Sequence, residues 1–275
     1  MAAAGALAVS ARRFHPARWL AASYGGAIYV FIFLPVAVLV LFSFQSGRFP
    51  IPPFNGPSLK WYSAIVSDGR LVEAVANSLV VAVLSSALSV VLGFLAAYGL
   101  ARHAPKGGRW MSGLLMAPLT VSTLIIGMGL LIAFNAIGVP KSLLATGIGH
   151  VVLNMPLCFA IVFSQLTDDQ ANIERSARDL GAREWQVLLL ITAPMVWPAI
   201  FASFFLAMTF SWDEFVIAFL LTRFDVTLPV EIWNLLRSGL NPKTNAVGSI
   251  VFAVSASLVL FLEVAVFGRR KARPS

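Results

Sequence analysis

The chain has 275 residues, 59% of them hydrophobic and only 12% charged, and its mean hydropathy is +0.85. Apolar residues at that level, gathered in runs, exclude an ordinary soluble core and fit a polytopic membrane protein. The net charge of +8 reads as membrane topology plus attraction to anionic lipid, with no nucleic-acid footprint.

Residues 1–19 form a basic N-terminal segment with Arg12, Arg13 and Arg18. Beyond it, a membrane crossing needs about 20 mostly apolar residues. Six segments qualify: about Leu20 to Phe44, Val75 to Leu100, Met111 to Asn135, Ala145 to Leu166, Met195 to Thr222, and Thr244 to Phe267. A secretory signal also opens with basic and then apolar residues, but this apolar run continues to Phe44 with no convincing cleavage site, so it reads as a retained first span. Backbone polar groups cannot go unpaired in lipid, so runs this long are helices, and the expected fold class is all-α. Pro35, Pro118, Pro156 and Pro198 lie within spans, where neighbouring helices can satisfy the freed carbonyls at the cost of a kink. Residues 268–275 form a basic tail.

Lys and Arg stay on the cytoplasmic side of a membrane. With the N-terminus inside, the inner segments hold Arg12, Arg13, Arg18, Arg102, Lys106, Arg109, Arg175, Arg178, Arg183, Arg269, Arg270, Lys271 and Arg273, thirteen of the twenty basic residues. Both termini are therefore expected in the cytoplasm, as is the connection between spans four and five, about 167–194.

That connection is polar and helical in pattern. Asp168 or Asp169 is placed to cap a helix whose first turn includes Asn172. Gly181 allows a sharp reversal, and Trp185, Leu188, Leu189 and Thr192 then repeat at helical spacing. Helix, glycine turn and helix make a compact projection; an amphipathic loop lying on the membrane surface fits the same periodicity.

The chain has no GxxxxGK[ST] loop, no GxSxG elbow and no His/Cys cluster with metal-ligand spacing, so no enzyme, metal site or nucleotide site of its own is expected. His15, His103 and His150 are far apart, and His150, near a span, reads as a ring hydrogen-bonded between helices. The single cysteine, Cys158, lies within span four and carries no information on redox compartment.

Ionisable residues inside spans are rare, cost roughly 2.5–3.5 kcal/mol each on insertion scales, and usually face a bundle interior or a water-filled path. No Lys or Arg lies inside the predicted spans; the acids that do are Asp213, Glu214 and Glu263. Asp213 and Glu214 point toward a cationic cargo, with a hydrogen bond to a neighbouring helix as the structural alternative. In span five, Ser203, Ala207, Ser211, Glu214 and Ala218 fall on one small-residue face, suited to close packing or a narrow path. Ser78, Ser85 and Ser89 make a second polar line in span two, for which packing is the better explanation.

The polar connection resembles that of the transmembrane permease subunits of ABC importers, which carry EAA, three residues, Gly, nine residues, Ile, one residue and Leu-Pro. Gly181, Ile191 and Pro194 set the register, placing Arg175, Ser176 and Ala177 at the EAA positions and Ala193 at the Leu; Arg175 replaces the pattern's acid, and Glu174 directly before it stands in. The resemblance extends over about residues 24 to 267 through NGPSLKWYSAI, the NSL of Asn77 to Leu79, GHVVLNMP ending at Pro156, ARDLGA, and SWDEFVIAFLL followed by TLPVEIWNLLRSGLNP. In this order the set is similar to the spermidine/putrescine branch.

The resemblance implies a bacterial inner-membrane permease in which a coupling helix seats in a separate ATPase subunit. That subunit uses the ATP, and this chain is expected to hydrolyse none. The docking residues so implied are Glu174, Arg175, Ser176, Ala177, Gly181, Ala182 and Pro194, and the substrate path is assigned to Asp213, Glu214 and Ser211. Two ATPase copies, a second homologous permease and an extracytoplasmic binding protein are the implied partners. Another cargo (an opine, a phosphonate or ferric ion), a secondary transporter and a membrane scaffold are the competing readings; no clear internal repeat supports the secondary transporter.

Overall fold

The computed structural model describes residues 16–103, 106–239 and 241–267. Arg12, Arg13, His15, Arg269, Arg270, Lys271 and Arg273 lie outside these, as do the side chains of Arg18 and Glu263. In chain order the elements are α1 (Pro16–Ser43), α2 (Lys60–Val66), α3 (Gly69–His103), α4 (Gly108–Met116), a 3-10 turn (Ala117–Thr120), α5 (Thr123–Ala136) and α6 (Leu143–Phe163). They continue with α7 (Asp168–Asp179), α8 (Glu184–Gln186), a π-helical stretch (Val187–Thr192), α9 (Ala193–Met195), α10 (Trp197–Asp213), α11 (Val216–Leu221), α12 (Leu228–Arg237) and α13 (Pro242–Phe267). Among the described residues no strand forms, only an isolated bridge between Gln45 and Pro57.

Among the described residues four helical stretches are long and apolar enough to cross a membrane: Ser23–Ser43 in α1, all of α3, all of α6, and Pro242–Phe261 in α13. The predicted third and fifth spans are not straight helices. The third bends by 104° between the 3-10 turn and α5. Pro118 opens that turn without an N–H to donate, which stops the regular ladder of α4, and Val121 is extended before α5 restarts. The fifth bends by 76° at Val196, between α9 and α10, and breaks again at Glu214, whose backbone is extended (φ −73°, ψ 110°). With each bent pair taken as one crossing, the described residues hold up to six. Pro35 and Pro156, by contrast, sit inside unbroken helices.

The centre of the bundle is the crossing of α3 and α6, with α10 packed on both. Lipid tails are as apolar as any leucine, so helices in a membrane associate through close van der Waals approach and hydrogen bonds rather than through exclusion of water. Gly93 on α3 provides that approach: a Cβ there would lie 2.7 Å from the Phe159 backbone nitrogen and 2.9 Å from Cys158 Cβ on α6. Around it Phe94, Ala97, Phe159, Val162 and Val196 form one buried cluster. Ser85, Ser86 and Ser89 keep the same helix slim and are themselves buried. α1 lies on α13, where Leu39 fills the space left by Gly248.

One end of the bundle is tied by polar contacts. Asp68 Oδ1 accepts the Arg70 amide (3.0 Å) and starts α3, while its Oδ2 receives Lys243 Nζ from the first turn of α13 (2.5 Å). The Lys243 hydrogen bond holds the Asp68 carboxyl below its ordinary value of 3.8. A depressed carboxylate contributes its stability in full above the ordinary value and loses it as pH falls through the depressed one, so this tie persists at neutral pH. Ser78 Oγ accepts the Leu228 amide (2.7 Å) at the start of α12, and Asn77 Nδ2 donates to the Val226 carbonyl (3.2 Å). The NGPSLKWYSAI segment folds around the buried Gln45, whose side chain accepts the Asn55 amide (2.8 Å) and whose carbonyl accepts Trp61 Nε1 (2.7 Å).

Backbone cannot yield as a flexible side chain can, so Gly93→Ala is expected to cost about 1–3 kcal/mol by overpacking. Heating the detergent-solubilised protein and following the monodisperse fraction should show a midpoint several degrees lower. Gly99→Ala, with open space around the new methyl, should not lower it; equal midpoints for the two variants would refute the account.

Candidate functional site

The break in the predicted fifth span creates a pocket. α10 ends at Asp213, the chain runs extended through Glu214, and Glu214 Oε1 accepts the Ile217 amide (3.1 Å) at the start of α11. The carboxylate thereby satisfies a backbone donor freed by the break. Glu214 is half-buried and Asp213 exposed. Glu214 shares a cavity of about 190 Å³ with His150, Asn154 and Thr123, walled by Leu119, Leu153, Leu157 and Phe210.

A buried polar cluster lies beside it. Ser211 Oγ is 2.6 Å from His150 Nδ1 and 3.0 Å from Ser85 Oγ, which joins α10, α6 and α3 at one point. One turn along α6, Asn154 Nδ2 donates to the Ala207 carbonyl (3.3 Å). His150 is thus hydrogen-bonded between helices, as its sequence position suggests, and Ser85 is a packing serine. The predicted face of span five holds for Ser203, Ala207 and Ser211, all buried against the neighbouring helices. It does not continue through Glu214 to Ala218, because the helix on which that spacing was counted ends at Asp213.

The polar connection folds as helix, glycine turn and helix. Thr167, rather than Asp168 or Asp169, takes the N-cap position of α7, and its amide donates to Gln170 Oε1 (3.2 Å). The two aspartates occupy the first turn, where the helix dipole favours them, and Asn172 falls in the second. At the other end the Ala182 amide donates to the Ala177 carbonyl (3.0 Å) and the Gly181 amide to the Arg178 carbonyl (2.8 Å), a Schellman ending. Gly181 has the positive φ of +91° that this ending demands. The second helix is not a regular one: it widens to a π-helix over Val187–Thr192 just before Pro194, which has no amide to donate.

One ionic contact and a hydrogen-bonded tyrosine close the projection onto the end of α3. Glu174 is fully buried, with Oε2 2.7 Å from Arg102 Nε and Oε1 3.2 Å from Arg102 Nη2. Thr192 Oγ1 donates to the same carboxylate (2.9 Å). Arg178 Nε and Nη2 pair with Glu184 at 2.8 and 3.0 Å, and the Tyr98 hydroxyl donates to Glu184 as well.

This helical architecture has a polar projection at one end and a bent, interrupted apolar helix pair. The profile described as binding-protein-dependent transport system inner membrane component matches residues 89–272. The chain belongs to this family. Among its relatives, the spermidine/putrescine transport system permease protein PotC of Escherichia coli (strain K12) is 29% identical over 245 residues, 88% of this chain and 92% of PotC. The putrescine transport system permease protein PotI of the same organism is 32% identical over 231 residues, 81% of this chain and 82% of PotI. In fold the chain is similar to a bacterial alginate ABC transporter solved in complex with an alginate pentasaccharide-bound periplasmic protein. The TM-score is 0.67 at 17% identity, covering 89% of this chain and 93% of that one.

The residues singled out in this inner-membrane component separate by position. Arg175, Ser176, Gly181 and Pro194 are exposed, Ala177 and Ala182 half-buried, and Glu174 wholly inside. Leu180, at the tip of the reversal, is 89% exposed and Trp185 is 55% exposed. Ser211 lies in the packed cluster beside the Glu214 cavity. Sequence reasoning did not bring His150, Asn154 and Thr123 to Glu214. The available signal was the four-residue spacing of His150 and Asn154, which puts both on one face of span four.

A β-branched residue at Gly181 meets the left-handed region, which costs roughly 1–2 kcal/mol. Gly181→Val should therefore loosen the reversal, read as several-fold faster trypsin cleavage at the flanking Arg178 and Arg183 in the folded protein. An unchanged cleavage rate would show that the turn tolerates a side chain.

Proposed function

We propose that this chain is a membrane-spanning permease subunit of an ATP-driven importer in the bacterial inner membrane, and that its cargo is a small organic cation, a polyamine such as spermidine or putrescine. It crosses the membrane six times, with the α4–α5 and α8–α11 segments as bent crossings. Both termini and the 167–194 projection lie in the cytoplasm, in keeping with the bias of Lys and Arg. A separate ATPase subunit docks on the projection and uses the ATP. A second, homologous permease completes the pathway and an extracytoplasmic binding protein delivers the cargo. Support for the class comes from family membership, and support for the branch from the relatives named for spermidine and putrescine transport. A periplasmic protein accompanies the structural neighbour.

The observation that carries the cationic reading is the Glu214 cavity. Non-helical backbone at membrane depth is tolerated where it lines a cavity or is buried in protein, and here it brings a carboxylate beside an imidazole, an amide and a hydroxyl. No Lys or Arg falls within the predicted spans to favour an anion. Glu214 is the counter-charge of the path, and the exposed Asp213 faces the partner permease or the mouth of the path.

The test is uptake of radiolabelled putrescine by the assembled complex in proteoliposomes. A hydrogen bond to a charged group contributes about 1.5–3 kcal/mol, so Glu214→Gln combined with Asp213→Asn should lower uptake roughly tenfold or more while the complex assembles at native yield. Full uptake by the double variant, or loss of assembly in either single one, would return the pair to a structural role.

A further inference from the structure

We propose that α3, held to the polar projection by the buried Arg102–Glu174 pair, carries movement of that projection to the Glu214 cavity; this rests on the reading of the chain as an importer subunit. The chain itself offers only compliant links between the two. Toward α6 the projection leads through the non-helical residues 164–167, and toward α10 through the π-helical stretch and the 76° bend at Val196. α3, in contrast, is an unbroken helix of 35 residues without proline, about 50 Å long at 1.5 Å per residue.

Both limbs of the projection are fastened to the last turns of this helix. Tyr98 and Arg102, four residues apart, share one face. Arg102 holds α7 through Glu174, and Thr192 of the π-helical stretch joins the same carboxylate. Tyr98 meets Arg178 Nη2 (2.9 Å) and Glu184 across the reversal. The side chains of Arg102 and Glu174 are only 8% and 0% exposed. Burying a charge pair gains little stability over an apolar pair of equal volume, while removing one member leaves a costly unpaired charge. Such a pair fixes a register between two elements.

Farther along, α3 is bound to the cavity walls. Gly93 interlocks with the backbone of α6, so the two helices move together, and α6 supplies His150 and Asn154 to the cavity. Glu214 and Phe210 belong to the end of α10 and the break after it. Ser85 meets Ser211 at the junction, and a shift of the α3–α6 pair against α10 changes the distance between His150 and Glu214. A displacement delivered at the projection thus reaches the cavity through α3.

The experiment uses the reconstituted complex with its ATPase, second permease and binding protein. It reads ATP hydrolysed per labelled putrescine imported, together with the stimulation of hydrolysis by the binding protein. Arg102→Gln with Glu174→Gln removes both charges and keeps hydrogen-bonding groups; Thr192→Val removes one hydroxyl. Coupling energies of this kind correspond to factors of roughly 5 to 150. The double variant should assemble at native yield, use about tenfold more ATP per putrescine and lose its stimulation, with a smaller change in the same direction for Thr192→Val. A native ratio in the assembled double variant overturns the proposal. If the double variant does not assemble, a native ratio in Thr192→Val overturns it. A native complex that recruits no ATPase, or shows no stimulation, fails the importer reading instead. A native complex that is stimulated without importing putrescine fails only the cargo, and stimulation then decides between the variants.

Discussion

In hydrocarbon a peptide group has no water to turn to, so each place where the backbone leaves a helix must supply its own hydrogen-bond partner. The irregular points of this protein show how that demand is met. At Glu214 a carboxylate accepts the Ile217 amide. At the entry to α12 a serine of α3 accepts the Leu228 amide. The breaks are therefore specified features. The one at Glu214 also turns a residue that is costly in lipid into a wall of a cavity.

The same constraint shapes the centre. Helices that gain nothing from excluding water need intimate contact, and Gly93 against the backbone of Phe159 provides it. The buried serines, His150 and Asn154 then act as polar fasteners across the α3, α6 and α10 interfaces. Ser211, in one of these fasteners, lies next to the cavity.

Fold and cargo are separate questions. A transporter named for the acidic polysaccharide alginate shares this architecture, so architecture says nothing about the charge of what is carried. Of the side chains that line the Glu214 cavity, the one formally charged group is a carboxylate.

From the sequence alone, the apolar runs determined an all-helical membrane protein, because run length is a local signal; the polar stretch at 167–194 with Gly181 allowed a helical reversal but fitted a surface-lying amphipathic loop equally well, and the structure decided between them. The acids at Asp213 and Glu214 were equally visible as misplaced charges. Only the tertiary structure decided that the third and fifth predicted spans are bent helix pairs. Proline marks where a ladder can stop, but whether it does depends on neighbours that accept the freed groups, and Pro156 stands in a continuous helix while Pro118 ends one. It likewise decided that Glu174 is an internal anchor for Arg102 rather than a surface group, and that His150 and Asn154 line one cavity with Glu214. These placements join residues some sixty to seventy positions apart, and no local pattern encodes which faces of three helices converge.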